Sequence, residues 1–187
     1  MAEKRPKILA ISGSTRSNSV NELLLNFIAA QYQSQLDLQL YNGLTQLPYF
    51  NLDLENEGLP GAVGHLREQI AAADGVIICT PEYVFSLPGA LKNVLEWTVP
   101  TTVFSDKPVA LIVAAASGEK AYESLILIMK TLGAQVGEHA QLLISGAKGK
   151  LNAQGEITEE NTRLAIQGLV ASFLQTITQK MAPANIV

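Results

Sequence analysis

Three uninterrupted apolar runs stand out along the chain. They are Ile8-Leu9-Ala10-Ile11, Gly75-Val76-Ile77-Ile78-Cys79-Thr80 and the stretch 108–115, which runs from Pro108 through Leu111, Ile112 and Val113 to Ala115. Runs of strand length without alternation fit strands buried on both faces, as in a parallel sheet. Leu36-Asp37-Leu38-Gln39-Leu40 alternates instead and predicts a second strand, and a fifth lies within residues 136–144. Between these runs the period changes. Val20, Leu23, Leu24, Phe27 and Ile28 fall on one helical stripe. Further helices are predicted over residues 63–73, from Pro88 in a first turn to Trp97, and over residues 119–132, where Gly133 stops the helix. A last helix opens at Thr158 with Glu159 and Glu160 and carries Ile166, Val170, Phe173, Leu174, Ile177 and Met181 on one face. Residues 42–60, with Gly43, Pro48, Gly58 and Pro60, read as a long loop.

Five strands alternating with five helices predict an α/β fold, a doubly wound sheet of five parallel strands with helices on both faces. The expected strand order is the flavodoxin-like 2-1-3-4-5. In such sheets ligands sit beyond the carboxyl ends of the strands at the switch point of the winding. The loops that converge there are residues 13–21, 81–88 and 115–120. The chain has 187 residues, 48% hydrophobic and 16% charged. That suits one domain, residues 1–187, able to bury about 70% of its unfolded surface. Thirteen basic against seventeen acidic side chains leave a formal charge of −4, which speaks against a sequence-independent nucleic-acid surface. The apolar run near the start is too short for a signal-peptide core or a membrane span. The lone Cys79 has no disulfide partner in the chain, so a cytoplasmic protein is expected, with Cys79 itself a core residue.

The first loop, Gly13-Ser14-Thr15-Arg16-Ser17-Asn18-Ser19-Val20-Asn21, links the end of a strand to the start of a helix. Helix starts present unpaired N–H groups and the positive end of the helix dipole, which favour an anion. One capping residue would satisfy the helix; this loop offers several hydroxyls, two amides and one fixed positive charge, a set that suits a phosphate.

With these loops in place the chain resembles the NADPH-dependent FMN reductase family, which includes quinone, chromate and azo-dye reductases. The first family loop reads roughly Gly-Ser-x-Arg-x-x-Ser-x-Asn, matched by Gly13, Ser14, Arg16, Ser19 and Asn21. A second signature is matched by Pro81, Glu82, Tyr83, Ser86, Pro88, Gly89, Leu91, Lys92, Asn93, Glu96 and Trp97. Val84 stands where the family usually has Asn, which removes a side-chain hydrogen bond near the flavin. The third loop, Ala116-Ser117-Gly118-Glu119-Lys120-Ala121, is poorer in glycine than is common in the family.

The resemblance implies FMN as cofactor and NADPH or NADH as co-substrate. Ser14, Arg16, Ser19 and Asn21 would hold the flavin phosphate. The backbone of Pro81, Glu82, Tyr83 and Val84 would face the isoalloxazine ring, with donors beginning at Glu82 because Pro81 has no N–H. Tyr83 and Phe85 could line the ring or the nicotinamide slot, and Ser117 and Gly118 are candidates for the ring's polar edge. The implied reaction is a ping-pong hydride transfer from NAD(P)H to FMN and then to a small acceptor: a quinone, a flavin, an azo or nitro compound, or a metal oxyanion. A flavodoxin-like electron carrier or a non-catalytic flavin-binding module are the alternatives. Hydride transfer between the two rings requires no acid or base, so no catalytic side chain is assigned. His65 and His139 are far apart in sequence with no third ligand, so no metal is assigned. The expected partners are a small-molecule electron acceptor and further copies of the chain, as a homodimer or homotetramer, with neither nucleic acid nor membrane.

Overall fold

The computed structural model describes residues 5–152 and 154–181. Its strands are β1 (Lys7–Ser12), β2 (Asp37–Leu40), β3 (Gly75–Thr80), β4 (Pro108–Ala115) and β5 (Gln135–Ser145). They form one parallel sheet in the order β2-β1-β3-β4-β5, the expected doubly wound arrangement. Successive strand residues point to opposite faces, and the uninterrupted runs divide accordingly. Leu9, Ile11, Val76, Ile78, Val109, Leu111 and Val113 belong to one core, while Ile8, Ala10, Ile77, Cys79, Ala110, Ile112 and Ala114 belong to the other. All six residues of β3 are buried.

The helices are α1 (Val20–Gln31), α2 (Leu52–Glu57), α3 (Gly61–Ala72), α4 (Gly89–Glu96), α5 (Glu119–Thr131) and α6 (Glu160–Met181). Helices α3, α4 and α5 cover the first core through Val63, Leu66, Ile70, Leu91, Val94, Leu125 and Met129. Helices α1 and α6 cover the second through Leu24, Leu25, Ile28, Ile166, Leu169, Val170 and Phe173.

Three expectations need correction. Residues 42–60 are not a plain loop, because a short 3-10 turn (Leu44–Gln46) and α2 lie within them, giving six α-helices and not five among the described residues. None of the residues of α2 is buried, so its sequence carries no apolar stripe to read. It is held by the Asn51 cap and by a two-pronged ion pair from Arg67 to Glu55, with Nη1–Oε1 and Nη2–Oε2 distances of 2.8 and 2.7 Å. Second, the buried stripe of α1 is Asn21, Leu24, Leu25 and Ile28, with Val20 and Phe27 only partly covered. A polar residue thus sits on the buried side of α1 and turns the stripe from the pattern of apolar residues alone. Third, Met181 is exposed at the end of the α6 face.

The motif residues after β3 clamp the 42–60 excursion. Asn93 Oδ1 accepts from Phe50 N–H at 2.8 Å, and the Asn93 amide and Trp97 Nε1 both donate to Pro48 O, at 3.0 and 2.8 Å. Trp97 is fully buried and meets Phe50 edge-on at a ring separation of 5.2 Å. Both edges of the sheet are short or broken. β2 has four residues, and β5 slips register against β4, so that Val109 pairs with Val136 but Leu111 with Gln141.

Candidate functional site

At the carboxyl end of the sheet lies a cleft of about 500 Å³, within the range of small-molecule sites. One wall is the β1–α1 loop with the start of α1, contributing Ser14, Arg16, Asn18, Ser19, Val20 and Asn21. The other is the end of β4 with the turn after β5, contributing Ala114, Ala115, Ala116, Gly146, Ala147 and Lys148. Pro81 and Tyr83 lie between them.

The loop after β1 starts from a tight contact. A side chain at Gly13 would come within 2.2 Å of Thr80 Oγ1 and 2.6 Å of Thr80 Cβ, so glycine is required where β1 and β3 end side by side. Ser19 then caps α1, its Oγ accepting from Glu22 N–H at 3.2 Å, while Glu22 Oε2 accepts from Asn18 N–H at 2.9 Å. This reciprocal cap leaves the Ser19 hydroxyl proton able to donate. Asn21 Oδ1 accepts from the Cys79 thiol at 3.3 Å, which fixes the amide and leaves its N–H groups as donors. Burial pushes the Cys79 thiol pKa up, so it stays protonated and inert. Among the described residues, the backbone N–H groups of Thr15, Ser17, Ser19, Val20 and Asn21 donate to no protein acceptor. Arg16 is exposed and has no carboxylate partner among the described residues.

The loop after β3 is arranged differently. Glu82 turns away from the cleft and binds the start of α5, accepting from Lys120 N–H at 2.9 Å, Ala121 N–H at 3.0 Å and Ser117 Oγ at 3.2 Å. The Ala121 N–H bond, helped by Ser117 and Lys120, holds the Glu82 carboxyl below its ordinary pKa. Tyr83 and Ser86 exchange two backbone hydrogen bonds of 3.0 Å. Between them Val84 and Phe85 adopt φ of 50° and 56°, the mark of a type I′ turn. Asn readily enters that left-handed region and a β-branched residue does not. The difference at Val84 is therefore one of backbone preference: its side chain is 95% exposed at the turn tip and points to solvent.

Six of the ten residues singled out from sequence line the cleft: Ser14, Arg16, Ser19, Asn21, Pro81 and Tyr83. Glu82, Val84, Ser117 and Gly118 do not. Ser117 is occupied with Glu82 and, through its carbonyl, with Ser145 Oγ. Gly118, at φ 102°, caps α5 with its Cα against Leu143 and Val113. Of the backbone donors in the loop after β3, Tyr83 N–H is committed to the turn, whereas those of Glu82 and Val84 have no protein acceptor among the described residues. Ala115 and Ala116 lie in the loop 115–120 expected at the site, whereas the sequence does not single out Ala114 and Lys148, since they carry no motif and reach the cleft only through the winding of the sheet. His65 lies exposed on α3 beside Gln69, and His139 is exposed in β5.

The cleft therefore offers uncommitted N–H groups, two cations and no carboxylate, a donor set that fits an organic phosphate. Comparison with known proteins agrees. A family model described as NADPH-dependent FMN reductase matches residues 6–149. An NAD(P)H-dependent FMN reductase of Pseudomonas aeruginosa is 34% identical over 166 residues, covering 86% of this chain and 89% of that protein. A quinone reductase of Escherichia coli K12 is 28% identical, covering 92% of this chain and 95% of the relative. Among solved structures, the flavoenzyme NAD(P)H:(acceptor) oxidoreductase of Paracoccus denitrificans superposes with a TM-score of 0.82 at 26% identity, over 93% of this chain and 98% of its own. A match that spans the sheet from β1 to the turn after β5, and with it both walls of the cleft, leaves one assignment: the chain belongs to the NADPH-dependent FMN reductase family.

Proposed function

We propose that the protein works by a ping-pong exchange at a single flavin site in this cleft. The chemistry that bound FMN supplies is hydride acceptance from NAD(P)H followed by delivery of two electrons to a small acceptor, such as a quinone, a flavin, an azo or nitro compound, or a metal oxyanion. The observation that carries this reading is the β1–α1 loop, where five backbone donors, those of Thr15, Ser17, Ser19, Val20 and Asn21, and the Arg16 side chain are left without partners among the described residues at the mouth of the cleft. Ser14, Arg16, Ser19 and the Asn21 amide would hold the phosphate. Pro81 and Tyr83 would support the ring, and the N–H groups of Glu82 and Val84 would meet its polar edge. Ser117 and Gly118 would act on that edge from the start of α5. No side chain needs to move a proton: the carboxylate of Glu82 is bound to the start of α5 and that of Glu22 to Asn18 N–H.

The remaining expectations join this proposal. A homodimer or homotetramer is supported by apolar side chains left open on the α4–α5 side, where Val99 and Leu127 are 60% and 66% exposed. A cytoplasmic location is supported by the single buried thiol. No helix among the described residues is long and apolar enough to cross a membrane. The visible spectrum of the purified protein with added FMN, followed by NADPH without oxygen, tests the reading. A flavin spectrum that bleaches within the mixing time is expected. A flavin that stays yellow with both NADPH and NADH would favour an electron carrier, and failure to bind FMN would overturn the reading outright.

A further inference from the structure

We infer that Lys148 is a second cation of the phosphate site, facing Arg16 across the cleft. This rests on the flavin reading and adds a residue that neither sequence signature contains.

Every step toward Lys148 is structurally fixed. β5 ends at Ser145, whose Oγ donates to Ser117 O at 2.9 Å. Gly146 follows in the left-handed region, φ 65°, and its N–H donates to Ala116 O at 3.0 Å. Ala147 is 1% exposed and plugs into the α1–α6 core. Two bonds to the β4 loop and one buried methyl group thus hold the turn, and Lys148 emerges from it directly into the cleft.

The charge pattern gives this placement its meaning. Among the described residues Arg67, Lys92, Lys120, Lys150 and Arg163 are in ion pairs. Arg5, Lys107 and Lys180 donate to backbone carbonyls. Lys7, Lys130, Arg16 and Lys148 have neither kind of partner, and two of these four line this cleft. Lys150, two residues beyond Lys148, is paired with Glu159 at 2.9 Å, so the local sequence does offer a carboxylate that Lys148 does not take. Among the described residues no Asp or Glu lines the cleft; Glu22 lines an adjoining hollow that shares Ser14 and Arg16 with it, and its carboxylate is taken up by Asn18 N–H and not by Arg16. A protein of net charge −4 therefore keeps a doubly positive, carboxylate-free cleft. A phosphate monoester carries about −1.5 to −2 at neutral pH, which Arg16 alone leaves half neutralised and Arg16 with Lys148 balances.

The test compares FMN with riboflavin, which has the same ring and lacks the phosphate. Dissociation constants for both are measured by flavin fluorescence on the full chain at low salt, for the native protein and for Lys148→Ala, Lys148→Arg and Lys148→Glu. Lys148→Ala is expected to weaken FMN about five-fold and leave riboflavin unchanged. Lys148→Arg should stay within about two-fold of native, Lys148→Glu should weaken FMN further than Ala does, and the differences should shrink as salt is added. An Ala variant that binds FMN as the native protein does, or that loses FMN and riboflavin equally, overturns the inference. So does a change confined to the KM for NADPH, which would place the lysine on the co-substrate. If the native protein itself binds no FMN, the flavin reading falls first, an outcome seen before any variant is made.

Discussion

The two loops at the mouth of the cleft, after β1 and after β3, are built on opposite principles. The loop after β1 caps its helix with Ser19 and Glu22 and, among the described residues, leaves the N–H groups of Thr15, Ser17, Ser19, Val20 and Asn21 and the Arg16 side chain without protein acceptors. The loop after β3 is braced: Tyr83 and Ser86 bond to each other, the Glu82 side chain binds the start of α5, and the backbone of Val84 and Phe85 is strained to close the turn, with the Glu82 and Val84 N–H groups left over. A receptor for a charged ligand must keep donors in reserve, and a support for a flat ring must not move. The first loop has the one property and the second has the other.

The largest test of this contrast is the point where the loops touch. Gly13→Ala would drive a methyl group into Thr80 and should destabilise the protein by about 3 kcal/mol, the upper range for overpacking, read as a lower denaturation midpoint. Arg16→Ala should weaken FMN by about 30-fold, as expected for a charged hydrogen bond in a cleft, with riboflavin affinity and apo-protein stability little changed. If Arg16→Ala lowered stability and left FMN affinity alone, the loop would be scaffold and the contrast would fail.

Glu82→Gln should do the reverse, lowering apo stability and weakening FMN and riboflavin together. Its pH dependence follows from the sign of the shift. The folded carboxyl lies below its ordinary value of 4.5, so its stabilisation is fully present above that value and is lost as the pH falls through the lower folded pKa. Urea titrations of native and Glu82→Gln protein should therefore converge as the pH drops below 4.5. The smallest effect is expected at the turn tip. Val84→Asn should relieve left-handed strain worth about 1 kcal/mol, raising the melting temperature by about 2–4 °C without altering flavin affinity.

Much of this was legible in the sequence because it is local or periodic. Strand runs buried on both faces, Gly133 after α5 and the Ser-rich start of α1 each declare themselves within a few residues. What stayed hidden depends on partners brought from elsewhere. Helix α2 is pinned by Arg67 from the next helix, Asn21 turns inward because Cys79 meets it from β3, and Glu82 finds its donors some forty residues on, at Lys120 and Ala121. Lys148 belongs to the same class. Nothing near it in sequence marks it, and only the placement of β5 beside β4 brings it to the cleft.

The slip in register between β4 and β5 has a consequence beyond the fold. A long regular outer strand would invite a neighbouring chain to extend the sheet. Here the outer strand on one side breaks step after Val136, exposing Glu138 and His139, and the one on the other side stops after four residues. Copies of this protein are thereby discouraged from joining strand to strand into open-ended fibrils. The helical flanks, unlike the sheet edges, are left open to contact, and a contact there that is two-fold symmetric would close on itself.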